Sequence, residues 1–116
     1  MKNFRDLDVW NRSHKMILDA YVVTRPFPRE EMYGLTSQIR RSAGSIGANI
    51  AEGCGRGSDA DFGRFLQMAM GSASELENHL LVAHDLGYLM SEKFKEFEFE
   101  VIGIKRMLVG LIKRTR

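Results

Sequence analysis

The apolar residues of this chain recur every three or four positions through four separate blocks, a period that leaves little room for anything but helices. One block reads Phe62, Leu66, Ala69, Ala73, Leu76, Leu80 and Ala83; another reads Phe94, Phe97, Val101, Ile104, Leu108 and Leu111. No Asn-Gly or Asp-Gly hairpin and no sustained apolar–polar alternation competes with that rhythm. Punctuation sets the expected ends. The first helix covers about 6–24, with Leu7, Trp10, Ile17 and Tyr21 as its inner stripe, His14 on that stripe, and Pro26 past its end. Pro28 opens the second, about 28–53, because its fixed φ suits a first helical position, and Glu30 and Glu31 follow in the first turn. Ser58 caps the third, about 58–87, with Asp61 three residues on and Gly87 as the stop. Ser91 caps the fourth, about 91–114. Long helices joined by short links predict an all-α fold, an antiparallel up-down-up-down four-helix bundle forming one domain over residues 1–116.

Composition agrees with a soluble globular chain: 44% of the residues are hydrophobic and 28% charged. No apolar run approaches the roughly 20 residues a membrane helix needs. The opening MKNFRDLDVWNRSHK lacks the apolar stretch of a secretory signal. Cys54 is the only cysteine, so no intrachain disulfide can form, and a reducing, cytoplasmic setting is expected.

The segment Ile39–Gly53, IRRSAGSIGANIAEG, keeps the helical rhythm in Ile39, Ala43, Ile46 and Ile50 yet is full of small residues. Each glycine inside a helix costs roughly 1 kcal/mol against alanine. Ser37, Gly44, Ala48 and Ala51 share one side of the helical wheel, where they would let another helix approach closely. Gln38, Arg41 or Ser42, Ser45, Asn49 and Glu52 form a polar stripe, and the third helix offers Gln67, Gly71, Ser74, Glu75 and Asn78 opposite it. A buried hydrogen-bond network between them, with Arg40 or Arg41 paired to Glu75, would fix register.

These segments resemble a known family. FRDLDVWNRSHKMILDAY, FPREEMYGLTSQIRRSAGSIGANIAEGCGR and FGRFLQMAMGSASELENHLLVAHDLGYL are similar, in order and spacing, to the four-helix-bundle proteins encoded in intervening sequences of bacterial 23S ribosomal RNA. That family also includes the accessory variability protein of diversity-generating retroelements. The resemblance covers most of residues 4–89; beyond it the match is only an amphipathic helix. It implies a homopentameric ring and a link to RNA or to a reverse transcriptase, and supplies no enzymatic activity. The retroelement branch tends to be strongly basic, and the net charge of +2 departs from it.

No enzyme is expected. Cys54 lies in Gly53-Cys54-Gly55-Arg56-Gly57, which reads as a helix stop and turn and follows no strand, so it is not a dinucleotide fingerprint. His79 and His84 are five apart and diverge around a helix, and neither an HExxH pair nor a Cys/His cluster exists, so neither metal nor cofactor is expected. His14 reads as a buried, hydrogen-bonded residue, and Met68, Met70 and the other methionines as core filling. Glu52 and Glu75 could converge as two hydrolytic acids do, or could serve as structural partners of Arg40 and Arg41.

Two features point outward. Beside its main stripe the fourth helix carries Phe99, Ile102, Val109 and Ile112, and a second apolar stripe needs a partner, here another copy of the chain. The basic candidates for nucleic-acid contact are Arg40, Arg41, Arg56, Arg64, Lys105, Arg106, Lys113, Arg114 and Arg116. Bases at the end of the last helix also suit its dipole, so their clustering alone does not decide for phosphate. Two functions remain open: a nucleic-acid-binding assembly, and a protein scaffold that docks a partner such as a reverse transcriptase.

Overall fold

The computed structural model describes residues 2–116. Four helices make up nearly all of it: α1 (Asp8–Thr24), α2 (Leu35–Cys54), α3 (Asp59–Asp85) and α4 (Ser91–Arg114). Single 3₁₀ turns at Phe4–Asp6 and Arg29–Glu31 precede α1 and α2, and no strand occurs among the described residues. At 1.5 Å per residue, the 27 residues of α3 give about 40 Å and set the 43 Å long axis.

The core follows the predicted rhythm in three of the four helices. Ile39, Ala43, Ile46 and Ile50 of α2 are fully buried and share one core cluster with Leu66, Ala69, Ala73, Leu76 and Leu80 of α3 and Val101, Ile104 and Leu108 of α4. Alternating alanines with branched side chains lets α2 and α3 pack closely, and they share the most extensive contact in the molecule. The contact of α1 with α4 is the slightest of those between helices.

Helix α1 is turned from its expected orientation. Its buried stripe is Val9, Ser13, Met16, Ala20 and Thr24, while Leu7, Trp10 and Ile17 are half-buried and Tyr21 is exposed. Two hydroxyl residues reach the core because each donates to its own helix: Ser13 Oγ to the Val9 carbonyl and Thr24 Oγ1 to the Ala20 carbonyl, both at 2.7 Å. His14 is exposed, not on the inner stripe, and stacks on the Trp10 ring at 4.8 Å. Met32, Met68 and Met90 are also exposed rather than core filling, whereas Met16 is buried and Met70 and Met107 pack against the core; Met1 lies outside the described residues.

Two expected helix starts move. Pro28 sits in an extended conformation (ψ 141°) and leads into the 3₁₀ turn, so α2 begins at Leu35 rather than near residue 28. Gly34 is the N-cap of α2 but has no side chain to accept, and the Glu31 carboxylate does so instead: Leu35 N donates to Glu31 Oε1 at 3.1 Å. Ser91 is inside α4 rather than its cap; its hydroxyl lies 3.1 Å from His84 Nε2. The third helix behaves as read. Ser58 Oγ accepts from Asp61 N at 3.2 Å, and Gly87, at φ +82°, ends the helix. Tyr88 N donates to the Ala83 carbonyl and Gly87 N to the His84 carbonyl, the paired closure that a left-handed glycine permits.

Glu31 also ties this end together, because Tyr88 Oη donates to its Oε2 at 3.1 Å. Burial, then that hydrogen bond and the carboxylate charge, raise the Tyr88 pKa from the ordinary 10.0. A raised phenol pKa favours the folded state while the group is protonated. Its contribution is fully present below the ordinary phenol range and is lost as pH rises through the folded value. Tyr88→Phe should therefore lower the urea midpoint at neutral pH, with the gap to the parent narrowing in alkali. A gap independent of pH would contradict the link.

Candidate functional site

Helix α4 has three distinct sides. Phe97, Val101, Ile104, Leu108 and Ile112 enter the core. On the α3 side Lys105 Nζ donates to Glu77 Oε1 at 3.0 Å, and on the α1 side Glu100 Oε2 accepts from Arg12 Nη2 at 2.9 Å. The outward side is a single row, Lys95, Phe99, Ile102, Arg106, Val109 and Lys113, spaced four, three, four, three and four, and it contains no acid. Phe99 is 71% exposed, Val109 42% and Ile102 36%.

Three of the four residues expected on an oligomer face therefore stand on the surface. Ile112 does not. It is 7% exposed and belongs to the core, because it follows Leu108 by one turn and continues the buried stripe. Lys95 completes the outward row and was legible in the same four-three spacing, but a search for apolar residues passes over it.

The nine basic candidates separate into engaged and unpaired groups. Arg40 is bound to the end of α1: its Nε donates to Thr24 Oγ1 at 2.9 Å and its guanidinium lies 4.4 Å from the Tyr21 ring centroid. Arg41 Nη2 donates to Glu75 Oε2 at 3.0 Å and to Gln38 Oε1 at 2.8 Å. Lys105 is held by Glu77. Arg56 pairs with Glu52 at 3.5 Å and Arg64 with Asp61 at 3.6 Å, and both guanidiniums lie over the Phe65 ring. Surface pairs of that length are worth little, so Arg56 and Arg64 keep most of their charge for other ligands. Arg106, Lys113, Arg114 and Arg116 are exposed and have no ion pair among the described residues. All four belong to the last part of α4 and the residues after it. Thr115 packs beside Gly63 of α3, so this basic end lies next to Arg64.

The expected network between α2 and α3 reduces to one cross-helix ion pair, Arg41–Glu75, and it is solvent-exposed. Ser42, Ser45 and Asn49 instead donate to carbonyls of α2 itself, at Gln38, Arg41 and Ser45. Ala48 and Ser37 are exposed, so the small stripe does not seat another helix of the same chain along its length. At Gly44 the stripe is crowded by α1: a Cβ there would stand 2.7 Å from Ile17 Cδ1.

Glu52 and Glu75 do not form an acid pair; Glu52 faces Arg56, and Glu75 faces Arg41 and His79. Cys54 is buried, and burial pushes its thiol pKa up, away from the nucleophilic thiolate. Among the described residues no group of three or more His, Cys, Asp and Glu could hold a metal ion. Nor is any helix among them long and apolar enough to cross a membrane.

Comparison with known proteins fits this architecture. The family model for 23S rRNA-intervening sequence proteins matches residues 5–110. The fold is similar to that of a protein of unknown function from the S23 ribosomal protein family of Bacteroides thetaiotaomicron, with a TM-score of 0.83 and 27% sequence identity. That match covers 90% of this chain and 95% of the other. No curated protein is detectably similar. With a family model spanning nearly the whole of its four helices, the chain belongs to the 23S rRNA-intervening sequence protein family.

Proposed function

We propose that the protein is a non-enzymatic, oligomeric nucleic-acid-binding protein of the cytoplasm, contacting RNA or DNA mainly through phosphate. The observation that carries this reading is the unpaired basic end of α4, Arg106, Lys113, Arg114 and Arg116, on the helix that also exposes Phe99, Ile102 and Val109. Self-association through the apolar row would repeat the basic end around the assembly, so a chain of net charge +2 could still present a dense positive surface. The homopentameric ring is the assembly that the family resemblance implies. An antiparallel up-down-up-down course fits the cross-helix contacts. Lys2, before α1, bonds to Cys54 at the end of α2, and Glu31, before α2, bonds to Tyr88 just past α3. The raised Cys54 pKa and the carboxylates engaged by arginines support the non-enzymatic reading.

A Lys113→Gln/Arg114→Gln/Arg116→Gln variant tests it against structured RNA and random duplex DNA. With three phosphate contacts removed, the slope of log affinity against log salt should become shallower by about 2–3 units. Sedimentation should give the same oligomer as the parent. Equal affinity and slope in parent and variant would remove this end of α4 from the binding surface.

The exposure of Phe99 favours one other reading, a scaffold whose apolar row docks a protein such as a reverse transcriptase. Loss of that docking in Phe99→Ser, with no nucleic-acid binding by the parent at low salt, would decide for it.

A further inference from the structure

Phe65, near the start of α3, is the one buried hydrophobic residue among those described that stands outside the core cluster. Its backbone side lies against α2, where a Cβ on Gly53 would stand 2.9 Å from Phe65 Cβ. Its ring is roofed by cations. The Arg56 guanidinium carbon lies 4.8 Å from the ring centroid and that of Arg64 4.6 Å. Arg64 comes from α3 itself and Arg56 from the loop before it, so two elements bring their charge to one ring.

Two guanidiniums over one ring stand within about 10 Å of each other, about a Debye length, so they repel, and attraction to the ring opposes that repulsion. Each has one acid beside it, Glu52 at 3.5 Å and Asp61 at 3.6 Å, in a weak surface pair. The Arg56 and Arg64 side chains keep 42% and 58% of their surface exposed, so the ring seats them without covering them. Beyond Arg56 the loop is open: nothing lies within 4 Å of where a Gly57 Cβ would stand.

An arginine seated this way offers two things. Its charge attracts phosphate, and its weakly hydrated plane stacks on flat rings. A nucleobase is such a ring, but in a duplex its faces are covered by its neighbours. Only an unpaired base has a face to give. We propose that Arg56 and Arg64, seated on Phe65, stack an unpaired base, so that the nucleic acid this protein takes is single-stranded. This rests on the nucleic-acid reading above and names its substrate class. Thr115 beside Gly63 sets the end of α4 next to Arg64, so the phosphates of the same strand run on to Lys113, Arg114 and Arg116.

The acids at this end favour the same class. Asp59 and Asp61 open α3 with side chains 74% and 46% exposed. A stiff duplex laid across this end would bring phosphates at fixed spacing against them, and like charges so opposed are destabilising. A flexible strand bends past them.

The test separates base from phosphate. The probes are an oligoadenylate of about ten nucleotides, an abasic strand of equal length and a duplex of equal length. A base face and a phosphate are common to RNA and DNA, so each probe is made with ribose and with deoxyribose, and the comparison is read on whichever sugar binds more tightly. The intact protein should prefer the oligoadenylate to the abasic strand and to the duplex by about fivefold or more, the low end of what one stacked base contributes. Arg56→Lys/Arg64→Lys keeps both charges and loses both planes. It should bind the oligoadenylate and the abasic strand alike, with the parent's salt slope, because no charge has been removed. Both side chains stand at the surface, so circular dichroism and the urea midpoint should match the parent. The abasic comparison on the parent needs no variant and stands even where the double variant folds poorly. Equal binding of base-bearing and abasic strands by the parent, or tighter binding of the duplex, would overturn the stacking and leave phosphate binding in place. A folded double variant that keeps the full preference for the base-bearing strand would also overturn it. No binding of any probe at low salt would overturn the nucleic-acid reading and this inference together.

Discussion

Ile112→Asp should unfold the protein or cost about 4 kcal/mol or more, whereas Val109→Asp should leave the bundle folded. The two residues are three apart on one helix and were read together as one surface. Ile112 is packed in the core, where a carboxylate would lose its water and gain no partner. Val109 keeps 42% of its surface exposed, and a charge there meets solvent within the single chain. Urea melts of both variants, followed by circular dichroism, check the contrast. Equal melting would mean that α4 is rotated from its described position.

Gly53 should be the least replaceable glycine of α2. In a helix interior, alanine is favoured over glycine by roughly 1 kcal/mol, so the default expectation is a gain. At Gly53 a Cβ would stand 2.9 Å from Phe65 Cβ and 3.4 Å from the Phe62 carbonyl oxygen. Neither is the free tip of a flexible side chain, so the end of α2 and the start of α3 would have to separate. Gly53→Ala should be destabilising despite its better propensity, and Gly53→Leu should cost about 1–3 kcal/mol or more. Gly71 is the control. Nothing lies within 4 Å of a Cβ there, so Gly71→Ala should gain up to about 1 kcal/mol. Gly44→Ala falls between them, because Ile17 Cδ1 can swing away. Thermal melts rank the series, and a stabilising Gly53→Ala would refute the close approach.

Part of this fold was legible in the sequence because its period is set by large apolar residues. Ile39, Ile46 and Ile50, Leu66 and Leu76, and Val101 and Leu108 have no plausible place but the core, and all are there. The orientation of α1 was hidden by two kinds of residue. Ser13 and Thr24 look polar but are satisfied by carbonyls of their own helix, while Trp10 and Tyr21 look like core but flank the buried stripe, Trp10 half-buried beside Gly47 and Tyr21 exposed under the Arg40 guanidinium. The start of α2 was hidden because Pro28 and Glu31 fit a helix start by composition, while Glu31 caps from outside it. Similar short-range satisfaction explains the polar stripe, where Ser45 and Asn49 bond to α2. The type of the Arg41–Glu75 pair was readable, but its exposure was not.

For the basic surface, sequence gave charge without pairing. Arg40 looked like Arg114 until the end of α1 supplied Thr24 and the Tyr21 ring as its partners. Of the nine candidates, the four unengaged ones lie in the later part of α4 and after it, and the functional reading stands on that cluster, although Arg5, Arg25, Arg29 and Lys95 elsewhere also have no ion pair among the described residues. The measurement that bears on it most directly is the affinity of the intact protein for single-stranded RNA across a range of salt. Log affinity should fall linearly with log salt, by about 0.7 for each phosphate contacted, and the total slope should exceed that of a single contact. Affinity that does not change with salt, or no binding at low salt, would contradict a phosphate-binding role for this protein.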